Sequence, residues 1–164
     1  MTLTNAIESA FYDLLRSYEM GVEPPLIRCW HGLRKDQTWD WTTDRELPCI
    51  DIRCSPFVQS DNKLTGTCRV QIIAKTNGED DKDHASIGVI EEAITNALDS
   101  LYSDLYAGAT GSTWAAFVAS IKADFPTVET IGGIDMEQGE EPSDDDGKPT
   151  VGFVVNVSIT KTDY

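Results

Sequence analysis

The sequence predicts an α+β fold: a single mixed or antiparallel β-sheet of about four or more strands, with two main helices packed on one face. Three observations predict it. Leu64 to Thr76 and Val151 to Ile159 alternate apolar and polar residues over strand length. His84 to Tyr106 repeats apolar residues at helical spacing. A further amphipathic helix opens the chain, so strands from both ends must share one sheet with helices on a face.

The first helix is expected over Asn5 to Met20. Leu3, Ile7, Phe11, Leu14, Leu15 and Tyr18 recur at helical spacing. Asn5 and Glu8 have the spacing of a capping box, and Gly21 with Pro24 and Pro25 ends the element. Leu26 to His31 reads as a short strand. Leu47 to Ser55 is the next, with Ile50, Ile52 and Cys54 on one face and Asp51 and Arg53 on the other. Pro56 stops it, and Asp61-Asn62-Lys63 suits a hairpin loop. In Leu64 to Thr76, Cys68, Val70, Ile72 and Ala74 share a face. The acidic break Asn77 to Asp83 follows. Ile87, Ile90, Ile94, Leu98, Leu101 and Leu105 then line one stripe of the second helix, and Asp81 and Asp83 precede its first turn, where carboxylates complement the helix dipole.

Ala107 to Gly111 is a breaker. Ser112 to Asp124 reads as a third, shorter helix around Trp114, Phe117, Val118 and Ile121, and Pro126 to Met136 as extended chain. Gln138 to Pro149 is rich in acids, Gly and Pro, which suits a mobile acidic loop. Val151, Phe153, Val155, Val157 and Ile159 then alternate with small or polar residues in the cleanest strand of the chain. No internal repeat is visible, and 164 residues suit one domain over 1–164.

Composition narrows the function classes. Formal charge is −15, from 28 acids against 13 bases. Phosphate affinity comes mainly from Lys and Arg, so such a surface repels nucleic acid. No apolar run reaches the roughly 18 residues of a membrane span. The N-terminus has no basic head and apolar run of signal type, so assembly in the cytoplasm is the expectation. Cys29, Cys49, Cys54 and Cys68 are then expected to be reduced. They form no CxxC pair, which argues against zinc, and Cys54 and Cys68 fall in strands where free cysteine serves as a small hydrophobe.

Catalytic and metal constellations are weakly represented. His31 follows a strand and His84 opens a helix near Asp81 and Asp83; a solvated helix start is the plainer reading. There is no GxSxG elbow and no GxxxxGK[ST] loop. Glu140-Glu141-Pro142-Ser143-Asp144-Asp145-Asp146-Gly147 invites comparison with an EF-hand, but Pro142 and Phe153 stand at its first and last ligand positions. No catalytic residue, cofactor site or metal site is assigned. Trp30, Trp39 and Trp41 suggest a contact surface, with a core role for that segment as an equal alternative.

The order of elements resembles a known family. A helix in the first twenty residues and a strand pair come first. Then a strand runs into an Asp-rich turn (Ile72 to Thr76, then Asp80-Asp81-Lys82-Asp83), followed by a long amphipathic helix and a C-terminal strand. This resembles the tail terminator, or tail completion, proteins of long-tailed bacteriophages, minor tail proteins that join tail to head. The resemblance implies a structural virion protein without catalytic residues, assembling as a ring, typically a hexamer. The ring caps the tail tube, halts its polymerisation and offers an interface to the head connector. Its partners are then further copies, the tail tube protein and the neck, with DNA only passing through the lumen. Trp30, Trp39 and Trp41, the acids Asp80, Asp81 and Asp83, and Glu140, Glu141, Asp144, Asp145 and Asp146 are the candidates for the interface and the lumen. Alternative readings are another neck or head-completion protein, a small enzyme using carboxylates, and a soluble binding module.

Overall fold

The computed structural model describes residues 2–18, 25–30, 48–59, 64–76, 87–106, 112–137 and 150–161. Helix α1 (Leu3–Arg16) is followed by strands β1 (Leu26–Cys29), β2 (Cys49–Cys54), β3 (Val58–Gln59) and β4 (Thr65–Lys75). Helices α2 (Ile87–Tyr106) and α3 (Ser112–Asp124) come next, then strands β5 (Val128–Glu137) and β6 (Thr150–Lys161). The fold is α+β. Its sheet runs β1-β2-β4-β6-β5, with β3 pairing β4 beside this path. The β1–β2 pair is parallel and the others are antiparallel, so the sheet is mixed.

Strand β4 is the spine. It faces β6 continuously, from Thr65↔Thr160 to Lys75↔Thr150. On its other side it takes β2 and then β3. Its alternation decides which side is core: Cys68, Val70, Ile72 and Ala74 are buried toward the helices, while Thr67 is exposed on the other face. Ile50, Ile52 and Cys54 of β2 and Val155, Val157 and Ile159 of β6 join the same cluster.

The helices cover that face with their apolar stripes. Helix α1 buries Ala6, Ile7, Ala10, Phe11 and Leu15; α2 buries Ile90, Ala93, Ile94, Ala97, Leu98 and Leu101. Helix α3 adds Trp114, Phe117 and Ile121, so three helices rather than two build the layer. The α3 helix packs chiefly on α1, where Phe11 and Phe117 meet edge to face with ring centroids 4.9 Å apart. Tyr18 donates a 2.8 Å hydrogen bond to Ser100 and ties the end of α1 to α2.

Both boundaries of α1 differ from the sequence expectation. Helix α1 starts at Leu3, because Thr2 is its N-cap and accepts from the Asn5 amide at 3.2 Å. Glu8 closes no capping box. It is fully buried and accepts the Cys54 amide at 2.8 Å across the core. The helix also ends at Arg16, short of Met20. The Ser17 hydroxyl donates to the Leu14 carbonyl at 2.6 Å and closes the last turn. The expected hairpin loop at 61–63, the acidic break and the loop 138–149 lie outside the described residues.

The short β3 reflects one glycine. A Cβ on Gly66 would collide with the Val58 carbonyl oxygen and sit 2.7 Å from Cζ of Phe57. Val58 and Gln59 can therefore lie against β4 only while position 66 lacks a side chain. Gly66→Ala is expected to lower stability by about 1–3 kcal/mol, the range for overpacking. Amide exchange checks it: protection should fall at the β3–β4 pairs and persist at the β4–β6 pairs.

Candidate functional site

Three polar arrangements lie in or at the edge of the core. In the first, Arg28 is fully buried, and its Nε lies 2.7 Å from Oδ1 of Asp51, its register partner on β2. Its Nη2 also lies 3.6 Å from Cys49 Sγ. In the second, Glu8 accepts the Cys54 amide, and the Cys54 thiol lies 3.4 Å from the Ser55 carbonyl. The hydrogen bond with Cys68, burial and the charges of Cys68 and Glu8 all hold the Cys54 thiol above its ordinary range, which disfavours its thiolate. In the third, Asp104 accepts the amides of Thr113 at 2.8 Å and Trp114 at 3.2 Å. A carboxylate from the end of α2 thus caps the start of α3. Each arrangement joins two elements of the fold.

A groove of about 490 Å³ lies between α1 and α3. Ala10, Leu14, Ala116 and Phe117 form its apolar lining. Asp13 and Arg16 pair at 3.5 Å along its rim, near the hydroxyls of Ser17, Thr113 and Ser120. Among the described residues its lining includes no His, Cys or Lys. Among the described residues, no group of three or more His, Cys, Asp and Glu is gathered in a way that could hold a metal ion. Likewise, no described helix is long and apolar enough to cross a membrane.

The surface is more informative than the interior. Three large hydrophobic residues stand exposed among the described ones: Trp30 at 41 %, Val58 at 67 % and Val89 at 41 %. Trp30 follows β1, where its amide donates to the Ile52 carbonyl at 2.9 Å. The guanidinium of Arg53 lies 4.8 Å from the centre of its ring. The β2 alternation turns Arg53 away from Ile52 and Cys54, so this pair belongs to the face of the sheet opposite α1, α2 and α3, the face on which Arg28 and Cys49 are buried.

Charge is unevenly distributed among the elements. Helix α2 carries Glu91, Glu92, Asp99 and Asp104 and no Lys or Arg. Its exposed stripe runs Val89, Glu92, Asn96, Asp99 and Ser103. The central strands carry the opposite sign: Arg69 and Lys75 in β4 and Lys161 in β6, with no acid in either.

Of the residues singled out from the sequence, Trp30 is placed, and it is half-exposed at the rim of the sheet. Trp39, Trp41, Asp80, Asp81, Asp83, Glu140, Glu141, Asp144, Asp145 and Asp146 lie outside the described residues. Sequence reasoning missed the partner of Trp30. The outward register of Arg53 was legible in the alternation of β2, but its approach to Trp30 required the parallel β1–β2 pairing.

Compared with known proteins, the chain matches no family model, and no curated protein is similar to it in sequence.

Proposed function

We propose that this chain is a structural protein of a phage virion, one that forms a ring on the tail tube, stops its polymerisation and presents an interface to the head connector. The observation that carries the reading is the order and pairing of its elements. An N-terminal helix, a strand pair, a central strand ahead of a long amphipathic helix, and a last strand laid along β4 support the reading, with α3 and β5 added between that helix and the last strand.

Physical features agree with the proposal. The polar arrangements described above hold elements together, and in this reading no bond is made or broken. A chain of charge −15 suits a passage that DNA must traverse without sticking, because like charges do not trap phosphates. Asp80, Asp81 and Asp83, with Glu140, Glu141, Asp144, Asp145 and Asp146, border the lumen or a ring face in this proposal. A head-to-tail contact that closes on itself gives the ring, and the hexamer is the number the resemblance implies. The partners are further copies of the chain, the tube protein and the neck.

Electron microscopy of particles lacking this protein tests the reading. The expected result is overlong tubes without heads. Tubes of normal length would remove the length-stopping role.

A further inference from the structure

The two half-exposed hydrophobic residues of the sheet and of α2 sit beside charges of opposite sign. Trp30 lies under Arg53 on the face of the sheet opposite the described helices. Val89 shares the exposed stripe of α2 with Glu92, one turn on, and with Asp99. The two patches point in opposite directions. Helix α2 packs on the β4–β6 side of the core and turns its stripe away from the sheet, whereas Arg53 leaves the sheet from the other face.

We infer that the Trp30–Arg53 patch of one copy docks on the Val89–Glu92–Asp99 stripe of α2 in the next copy. The inference rests on the ring reading and deepens it by naming the contact between subunits.

Complementarity carries the argument. Each patch offers an apolar group and a charge: an indole with a guanidinium on one side, a valine with carboxylates on the other. Trp and Arg are the residue types that most often anchor interfaces. The ring of Trp30 holds the guanidinium before docking, which lowers the ordering cost of the contact. Helix α2 has no base of its own to neutralise its acids, so a guanidinium from outside is its natural counterion. Nucleic acid is a poor occupant of the Arg53 patch because the rest of the chain repels it.

Geometry fixes the type of assembly. Because the patches lie on opposite sides of the molecule, the contact is heterologous. Repeating it generates a closed ring or an open filament rather than a two-fold dimer.

Charge exchange tests the contact. Sedimentation velocity and native mass spectrometry at low salt compare the parent chain with Arg53→Glu, Glu92→Arg and the double exchange. Each single reversal is expected to weaken self-association by about tenfold or more, as for charges facing each other across an interface. The double exchange is expected to restore it. Raising sodium chloride to about 1 M, where the Debye length falls to ~3 Å, is expected to weaken the parent assembly.

The inference is overturned if either single variant associates like the parent. It is equally overturned if the double exchange stays dissociated with a native circular dichroism spectrum, or if the parent is monomeric at millimolar concentration and low salt. Arg53→Gln guards against unfolding of the reversed variant: it must weaken association together with Glu92→Arg. A ring indifferent to both charges sinks this contact and leaves the tube-capping reading standing. Normal-length tubes in particles lacking the protein sink that reading whatever the contact.

Discussion

Asp51→Ala is expected to lower the unfolding free energy by about 3 kcal/mol, the lower end of the range for breaking a buried ion pair. Arg28 is fully buried and Asp51 is its register partner, with Nε and Oδ1 2.7 Å apart. Removing the carboxylate leaves the buried guanidinium without this 2.7 Å ion pair. Arginine cannot escape by losing its proton. The Asp51 side chain is 21 % exposed, so water enters at its position and holds the effect at the lower end. Replacing both partners with apolar residues of similar volume, as in Arg28→Met with Asp51→Leu, should recover most of the loss, because the pair is then removed together rather than split. Urea denaturation with an unchanged slope checks both variants. A single variant as stable as the parent would show that Arg28 does not depend on Asp51.

Phe11→Ala is expected to destabilise by about 3–5 kcal/mol, the usual result of emptying an aromatic site in a core that cannot collapse. Phe11 is fully buried and meets Phe117 edge to face, while Phe117 lies 5.8 Å from the Trp114 ring. These rings are where α1 holds α3. Their loss should show first in α3: near-ultraviolet dichroism from Trp114 falls, while far-ultraviolet dichroism of the sheet persists. Phe11→Leu keeps most of the volume and should cost about 1.5 kcal/mol or less. Equal losses for alanine and leucine would mean that packing at this position is not what joins the helices.

Much of the fold was legible in the chain because its strands have two unlike faces. The alternation of Val151 to Ile159 placed β6 within two residues of its ends, and the same pattern found β2 and β4. Trp114, Phe117 and Ile121 gave α3 to the residue. Glu8 was misread for a physical reason. A glutamate three places after an asparagine serves equally as a capping residue or as an acid on the buried stripe of the helix. Only the approach of the Cys54 amide decides between them. Strand β3 went unseen because two residues carry no period, and its condition, the bare Cα of Gly66, lies on another strand. Cys29 and Cys49 proved buried, as Cys54 and Cys68 are: the short β1 segment offered too few residues to orient Cys29, and Cys49, on the Asp51 and Arg53 side of β2, is buried beside Arg28 rather than under the helices.

For the surface, the division is sharper. Composition gave the excess of acid, and the sequence of α2 alone shows four acids without a base. It could not show that Trp30 and Arg53, 23 positions apart, share a patch. That follows from the parallel pairing of β1 with β2, in which Cys29 stands beside Ile52.

Local chemistry therefore determined the elements, their inward faces and the sign of the charge, since each depends on neighbours a few residues away. The tertiary structure decided the strand order, the parallel first pair, the destination of Glu8 and the opposite placement of the Trp30 and Val89 patches. Those outcomes depend on contacts between distant segments, which become favourable only when the whole helical layer closes over the sheet and removes its apolar face from water.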